Sequence, residues 1–149
     1  ALADPAGRAG GHEPLTISRR FVPQRDVQGT AFTACLQHMV AEVPDLQAVA
    51  FCDEEGEIVD YHSYLAPYDT KVTGAVLGVL LSTVAREGPR LTAGGLRELV
   101  IETAENVLFA RRMAGEYFLA GVLGREGVLA KLLAALDEVE ARVMAEAGM

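Results

Sequence analysis

The chain has 149 residues, half of them apolar, with no Trp, a net charge of −8 and a pI of about 4.8. That length suits one domain with enough core to fold without staples, and the acidic balance argues against a duplex-DNA or RNA binder, which needs a basic stripe. The two cysteines, Cys35 and Cys52, sit in apolar runs and read as reduced, buried thiols of a cytoplasmic protein.

Residues 1–26 are rich in Gly, Pro and charge and read as an N-terminal arm or tail, with 27–147 as the folded domain. Within the arm, Leu15-Thr16-Ile17-Ser18 is a short extended piece followed by the basic pair Arg19-Arg20. Ala1-Leu2-Ala3-Asp4-Pro5 lacks the basic-then-apolar order of a signal peptide. A first helix is expected from Val27 to Glu42, with Phe32, Cys35, Leu36, Met39, Val40 and Val43 at helical spacing and Pro44 ending it.

Leu46 to Cys52 is apolar on both faces and predicts a central strand. Asp53-Glu54-Glu55-Gly56 is a turn. The strand after it, Glu57 to Tyr64, alternates Ile58, Asp60, His62 and Tyr64 against Val59, Tyr61, Ser63 and Leu65, as an outer strand with one wet face does.

A long helix follows from Tyr68 to Glu87, opened by Pro67 and closed by Gly88-Pro89. Thr73, Val76, Leu77, Leu80 and Val84 make a large apolar side, expected on the sheet. Lys71, Gly74, Ala75, Gly78, Ser82 and Ala85 make a small side with no broad charged face. Two glycines inside a helix cost about 0.5–1 kcal/mol each against alanine, which points to a close backbone approach. A second copy of the chain against Gly74, Ala75, Gly78, Val79 and Ser82 is favoured over cover by the domain's own terminal helices, because those have polar faces.

Three short strands come next: Arg97 to Thr103, Asn106 to Met113 and Glu116 to Leu123, joined by turns at Ala104-Glu105 and Ala114-Gly115 and therefore antiparallel. A last helix runs from near Arg125 almost to the end, with an apolar stripe of Leu129, Leu132, Leu133, Leu136, Val139 and Val143. The order helix, two strands, helix, three strands, helix packs most simply as one five-stranded antiparallel sheet with helices on both faces, an α+β fold in α/β/α layers.

That order resembles the roadblock / dynein light chain family. The likeness is carried by the Phe32-x-x-Cys35-Leu36 helix, the Ala48-Val49-Ala50-Phe51-Cys52-Asp53-x-x-Gly56 hairpin, the Gly74-Ala75-Val76-Leu77-Gly78-Val79-Leu80-Leu81 helix and the closing Leu129-x-x-Leu132-Leu133-x-x-Leu136 helix. It covers about Val27 to Ala147. The resemblance implies a profilin-like sheet with the central helix alone on one face. It also implies a homodimer or a heterodimer with a related chain, in which central helices lie side by side and third strands pair, with Leu99 and Ile101 supporting that pairing. Bacterial members of this kind regulate or scaffold Ras-like small GTPases through the helical face of the dimer, and some raise hydrolysis or exchange without supplying an arginine finger. The 26-residue arm departs from the usual short form.

Other candidate sites weigh less than their plain explanations. There is no phosphate-cradling Gly-x-x-x-x-Gly-Lys-Ser/Thr string. Gly121, Gly124 and Gly127 between a strand and a helix suggest a phosphate site, but a plain connection is favoured. A metal site of Cys35, His38, Cys52 and His62 is outweighed by core packing of the two cysteines, and His62 reads as a group on the wet face of an outer strand, not a haem ligand or pH sensor. The acidic hairpin of Asp53, Glu54, Glu55, Glu57 and Asp60 reads as a solvated turn. Arg111 and Arg112 point to opposite faces, and salt bridges are favoured over a GTPase contact. Asp69, Lys71 and Arg86 fringe the central helix as partner contacts or as solvated caps.

The leading reading is a non-enzymatic interaction module with no cofactor, no metal and no membrane span. The alternative is a small-ligand sensor with a related fold and a cavity lined by Tyr61, His62 and Tyr64. An enzyme ranks last, for want of a nucleophile–base pair or metal set.

Overall fold

A computed structural model describes residues 23–91, 94–113 and 115–146. The predicted extended piece at 15–18, the basic pair Arg19-Arg20, Ala114 of the predicted turn and Ala147 lie outside the described residues. The elements are α1 (Thr33–Glu42), β1 (Leu46–Asp53), β2 (Ile58–Ser63), α2 (Pro67–Glu87), a 3-10 turn (Gly88–Leu91), β3 (Glu98–Glu102), β4 (Asn106–Arg112), β5 (Tyr117–Gly124) and α3 (Leu129–Glu146). The five strands form one antiparallel sheet in the order β2-β1-β5-β4-β3.

The largely apolar composition of β1 and β5 suits both to the middle of the sheet, where each face is covered. On one face, Leu36, Met39 and Val43 of the α1 region meet Leu132, Leu136, Val139 and Val143 of α3 over Val49, Phe51, Phe109 and Leu119. On the other, Leu77 and Leu81 of α2 pack on Ala50, Cys52, Tyr61, Ala110 and Phe118. The α+β reading in α/β/α layers, with α2 alone on its face, therefore holds. Cys35 belongs to the first core and Cys52 to the second, so the sheet separates the two free thiols. Burial pushes the Cys52 thiol up to about 12, so it stays protonated and inert as a nucleophile.

Gly121 shows how tightly the middle of the sheet is built. A Cβ there would lie 2.2 Å from the Ala48 carbonyl oxygen and 2.6 Å from the Phe109 ring.

Two boundaries differ from expectation for a physical reason. The first helix starts at Thr33, not Val27, because residues 24–30 are engaged along β2: the Gln24 amide donates to the Ser63 carbonyl (2.7 Å) and Thr30 Oγ1 donates to Asp60 Oδ2 (2.6 Å). The last helix starts at Leu129, four residues later than read, because the chain first turns over Asp45. The Asp45 carbonyl accepts from the Gly124 amide (2.8 Å), and its carboxylate accepts from the Glu126 amide (2.9 Å). The strand-to-helix stretch through Gly124 is thus a plain connection, with the Glu126 amide holding the chain's own carboxylate.

A bulge opposite Phe51 and Cys52 breaks the alternation of β2, since Cys52 faces Ile58 while Phe51 faces Asp60. Residue 59 is the extra one, and Ile58 joins the α2-side core while Val59 joins the other. From Asp60 onward the strand alternates regularly, with Tyr61 under α2 and Tyr64 on the α1 side.

The predicted wet face of β2 is a correction. Asp60 is fully buried, held by Arg25 Nη2 at 2.6 Å, by the hydroxyls of Thr30 and Thr33, and by the Tyr61 amide at 2.7 Å. It is no part of a solvated acidic turn. The turn itself is as read: the Asp53 carboxylate accepts from the Glu55 and Glu57 amides, and Gly56 takes φ +87°.

A candidate interaction surface on the central helix and the third strand

The rotation of α2 about its axis decides which residues a partner meets. Thr70, Gly74, Leu77, Gly78 and Leu81 are buried. The exposed side carries Tyr68, Val72, Val76, Val79 and Leu80, with Val79 63% and Tyr68 75% exposed. Val72, Val76, Val79, Leu80 and Thr83 recur at steps of three and four and form a continuous outward stripe.

This corrects the expected faces. Gly74 and Gly78 do admit a close backbone, but it is the chain's own Gly56 turn. A Cβ on Gly78 would lie 3.1 Å from both Gly56 Cα and Phe118 Cζ; one on Gly74 would lie 3.2 Å from Cys52 Sγ. The two glycines are sealed inside the domain and cannot carry a helix–helix contact. Val76 and Leu80, expected on the sheet, point outward instead.

Gly78→Leu is therefore expected to damage the fold itself. The side chain must lift α2 off the β1–β2 turn, at a cost of about 1–3 kcal/mol. A urea midpoint that falls with unchanged slope checks this; an unchanged midpoint with weakened self-association would restore the glycine interface.

Of the remaining expected contact residues, three are exposed and two are half-buried. Ala75, Val79 and Ser82 are exposed on α2. Leu99 and Ile101 are half-buried on β3 and pack toward the α2-side core, while Val100 is exposed. Among the described residues β3 pairs only with β4, which makes it an edge strand of the described sheet.

The fringe residues differ in freedom. Asp69 and Arg86 are exposed, Arg86 Nε lying 3.9 Å from Glu87. Lys71 is tied back by an ion pair of 2.8 Å to Asp26, whose other carboxylate oxygen accepts from the Tyr61 hydroxyl (2.7 Å). Those bonds from Lys71 and Tyr61 hold the Asp26 carboxyl below its ordinary range.

Arg111 and Arg112 do part to opposite sides. Arg111 is buried and bonded to Glu98 (2.7 Å) and Asp137 (2.5 Å), with Glu140 at 3.4 Å. Burial works against its charge, but the two carboxylate bonds outweigh it and raise its pKa. It fastens β3 and β4 to α3 and is no finger. Arg112 lines a cavity of about 180 Å³ with Glu54, Ser82, Ala85, Glu116 and Phe118. There, hydrogen bonding to Glu116 and the Glu116 charge raise the Glu54 pKa.

The residues proposed for a ligand cavity do not converge. The Tyr61 ring is fully buried under α2, whereas Tyr64 packs on the other face of the sheet and meets His62 edge-on at 5.8 Å. Burial, then the nearby Arg25 charge, lowers the His62 pKa. One ligand cannot touch all three rings, which removes the cavity the sensor reading needed. Among the described residues no group of His, Cys, Asp and Glu is arranged to hold a metal ion, and no helix is long and apolar enough to cross a membrane.

The layering, strand order and lone covering helix define a profilin-like α+β domain that presents a helix and a sheet edge, not an enclosed cleft. Its particular fold is that of a Roadblock/LC7 domain. It superposes on the Roadblock/LC7 domain from Streptomyces avermitilis with a TM-score of 0.72 at 22% identity, covering 78% of this chain and 97% of that one. It matches Myxococcus xanthus MglB with a TM-score of 0.71 at 10% identity, over 80% and 96% of the two chains. A third match is an MglB in a tetrameric arrangement, with a TM-score of 0.72 at 13% identity over 82% and 94%. No family model and no curated protein sequence matches the chain.

Proposed function

We propose that this chain is a dimeric interaction module of the cytoplasm that binds and regulates, or scaffolds, a Ras-like small GTPase, with no catalysis of its own. The observation that carries the reading is the outward stripe of Val72, Val76, Val79 and Leu80 on the helix that alone covers its face of the sheet. Such a row of large apolar groups costs free energy in water and marks a surface that another protein covers. A second copy, or a related roadblock chain, covers it isologously, with Ala75, Val79 and Ser82 at the helix contact and Leu99 and Ile101 beside the β3 edge. Burial contributes at most about 1.5–3 kcal/mol per large side chain before ordering costs.

The Roadblock/LC7 fold and the family resemblance of the α2 and hairpin motifs support the GTPase as partner, and the tetrameric MglB supports self-association. Asp69 and Arg86, with Lys71 once released from Asp26, are the charged groups placed to meet that partner. The test is a pull-down from the source cell, run in parallel with GTP-like and GDP-loaded extracts. A retained Ras-like GTPase that depends on the nucleotide is expected. Its absence from both arms, with a bait shown to be dimeric, would remove the GTPase; a bait that stays monomeric would remove the dimer.

A further inference from the structure

The sheet has two edges, β2 and β3, and they are treated differently. Along β2 the outward backbone groups are already occupied. The Ser63 carbonyl accepts from the Gln24 amide (2.7 Å), and the Tyr61 carbonyl accepts from Arg25 Nη1 (2.7 Å). The Tyr61 amide donates to the carboxylate of Asp60 (2.7 Å). The segment that does this is fastened at three further points. Arg25 Nη2 reaches Asp60 Oδ1 and the Gln28 carbonyl, Asp26 bridges Tyr61 and Lys71, and the Thr30 hydroxyl bonds Asp60. Among the described residues nothing comparable lines β3, which pairs only with β4.

We infer that residues 24–30 are an edge clasp, and that the β2 edge beneath it is a second strand-pairing surface for another copy of this chain. The inference rests on the self-association reading only for what happens at β3. An uncapped strand edge is a template for pairing. A sheet able to pair at one edge closes as a two-fold pair, whereas a sheet able to pair at both continues into an open chain of subunits. The clasp therefore sets assembly size: closed, it leaves β3 as the single pairing edge; open, it permits growth through β2. Arg25 is the pivotal residue because its guanidinium holds a β2 carbonyl with one nitrogen and the buried Asp60 with another.

The experiment compares sedimentation of the wild-type chain with the Gln24→Pro/Arg25→Ala variant from micromolar to submillimolar concentration, with circular dichroism to verify folding. Two carbonyls freed for pairing, at roughly one hydrogen bond's worth each, predict self-association about thirtyfold tighter than wild type, with mass that grows with concentration instead of levelling off. Should that variant not fold, adding Asp60→Asn removes the stranded charge and is read in the same way. A folded variant that sediments like wild type at every concentration would overturn the clasp. If wild type is monomeric and the variant dimeric, the clasp stands and the β3 dimer falls.

Discussion

Replacing Asp60 with Ala is expected to cost about 3 kcal/mol of stability, the lower end of what breaking a buried ion pair costs. Arg25 keeps some contact with water, which tempers the loss. Four donors converge on this fully buried carboxylate: Arg25, the hydroxyls of Thr30 and Thr33, and the Tyr61 amide. Burial alone would raise its pKa, but bonds from Thr30, Thr33, Arg25 and the Tyr61 amide outweigh that and lower it. The linkage follows from that direction. A carboxyl whose folded pKa lies below its unfolded value stabilises the fold fully above the unfolded value, about 3.9 for Asp, and loses that contribution as pH falls through the folded one. Urea denaturation across the acidic range is expected to show wild type losing more stability than the variant. Parallel curves with equal midpoints at neutral pH would mean the pair contributes nothing.

Replacing Val79 with Asp is expected to weaken self-association by about 100-fold, the equivalent of roughly 2.7 kcal/mol, while leaving the urea midpoint of the protomer within about 0.5 kcal/mol of wild type. Val79 is exposed in the protomer, so a charge there meets water until a second copy arrives. In a two-fold pair each copy contributes one such charge to the apolar contact. Sedimentation equilibrium separates the outcomes. An unchanged dimer would show that the α2 stripe is not the interface. A collapse of protomer stability would show that Val79 supports the core.

Much of this architecture was legible in the chain. The apolar run of β1 announces a central strand, Pro67 and Gly88 bracket α2, and the turn at Asp53 to Gly56 follows from its residue types. The Arg111 and Arg112 alternation was also legible, because the side-chain period of a strand is two. Less legible was anything that depends on a contact far along the chain. In the sequence the clasp reads as the end of a loose arm and the start of a helix, since nothing in Gln24-Arg25-Asp26 signals that β2 will use its carbonyls. The paired charges of Arg25 and Asp60, 35 positions apart, were the available hint, but a lone buried carboxylate cannot be told from a wet one by alternation alone. The bulge at residue 59 further hid the pairing of faces.

By itself the sequence determined the element order, the layered class, the acidic surface and the surplus of apolar groups on the central helix. Only the tertiary structure decided which side of that helix is spare. A helix apolar nearly all round has two faces of similar hydrophobicity, so periodicity cannot orient it. What orients it is the close approach of the Gly56 turn, which fits only against Gly74 and Gly78. Once those glycines are sealed inside, Val72, Val76, Val79 and Leu80 are left facing outward.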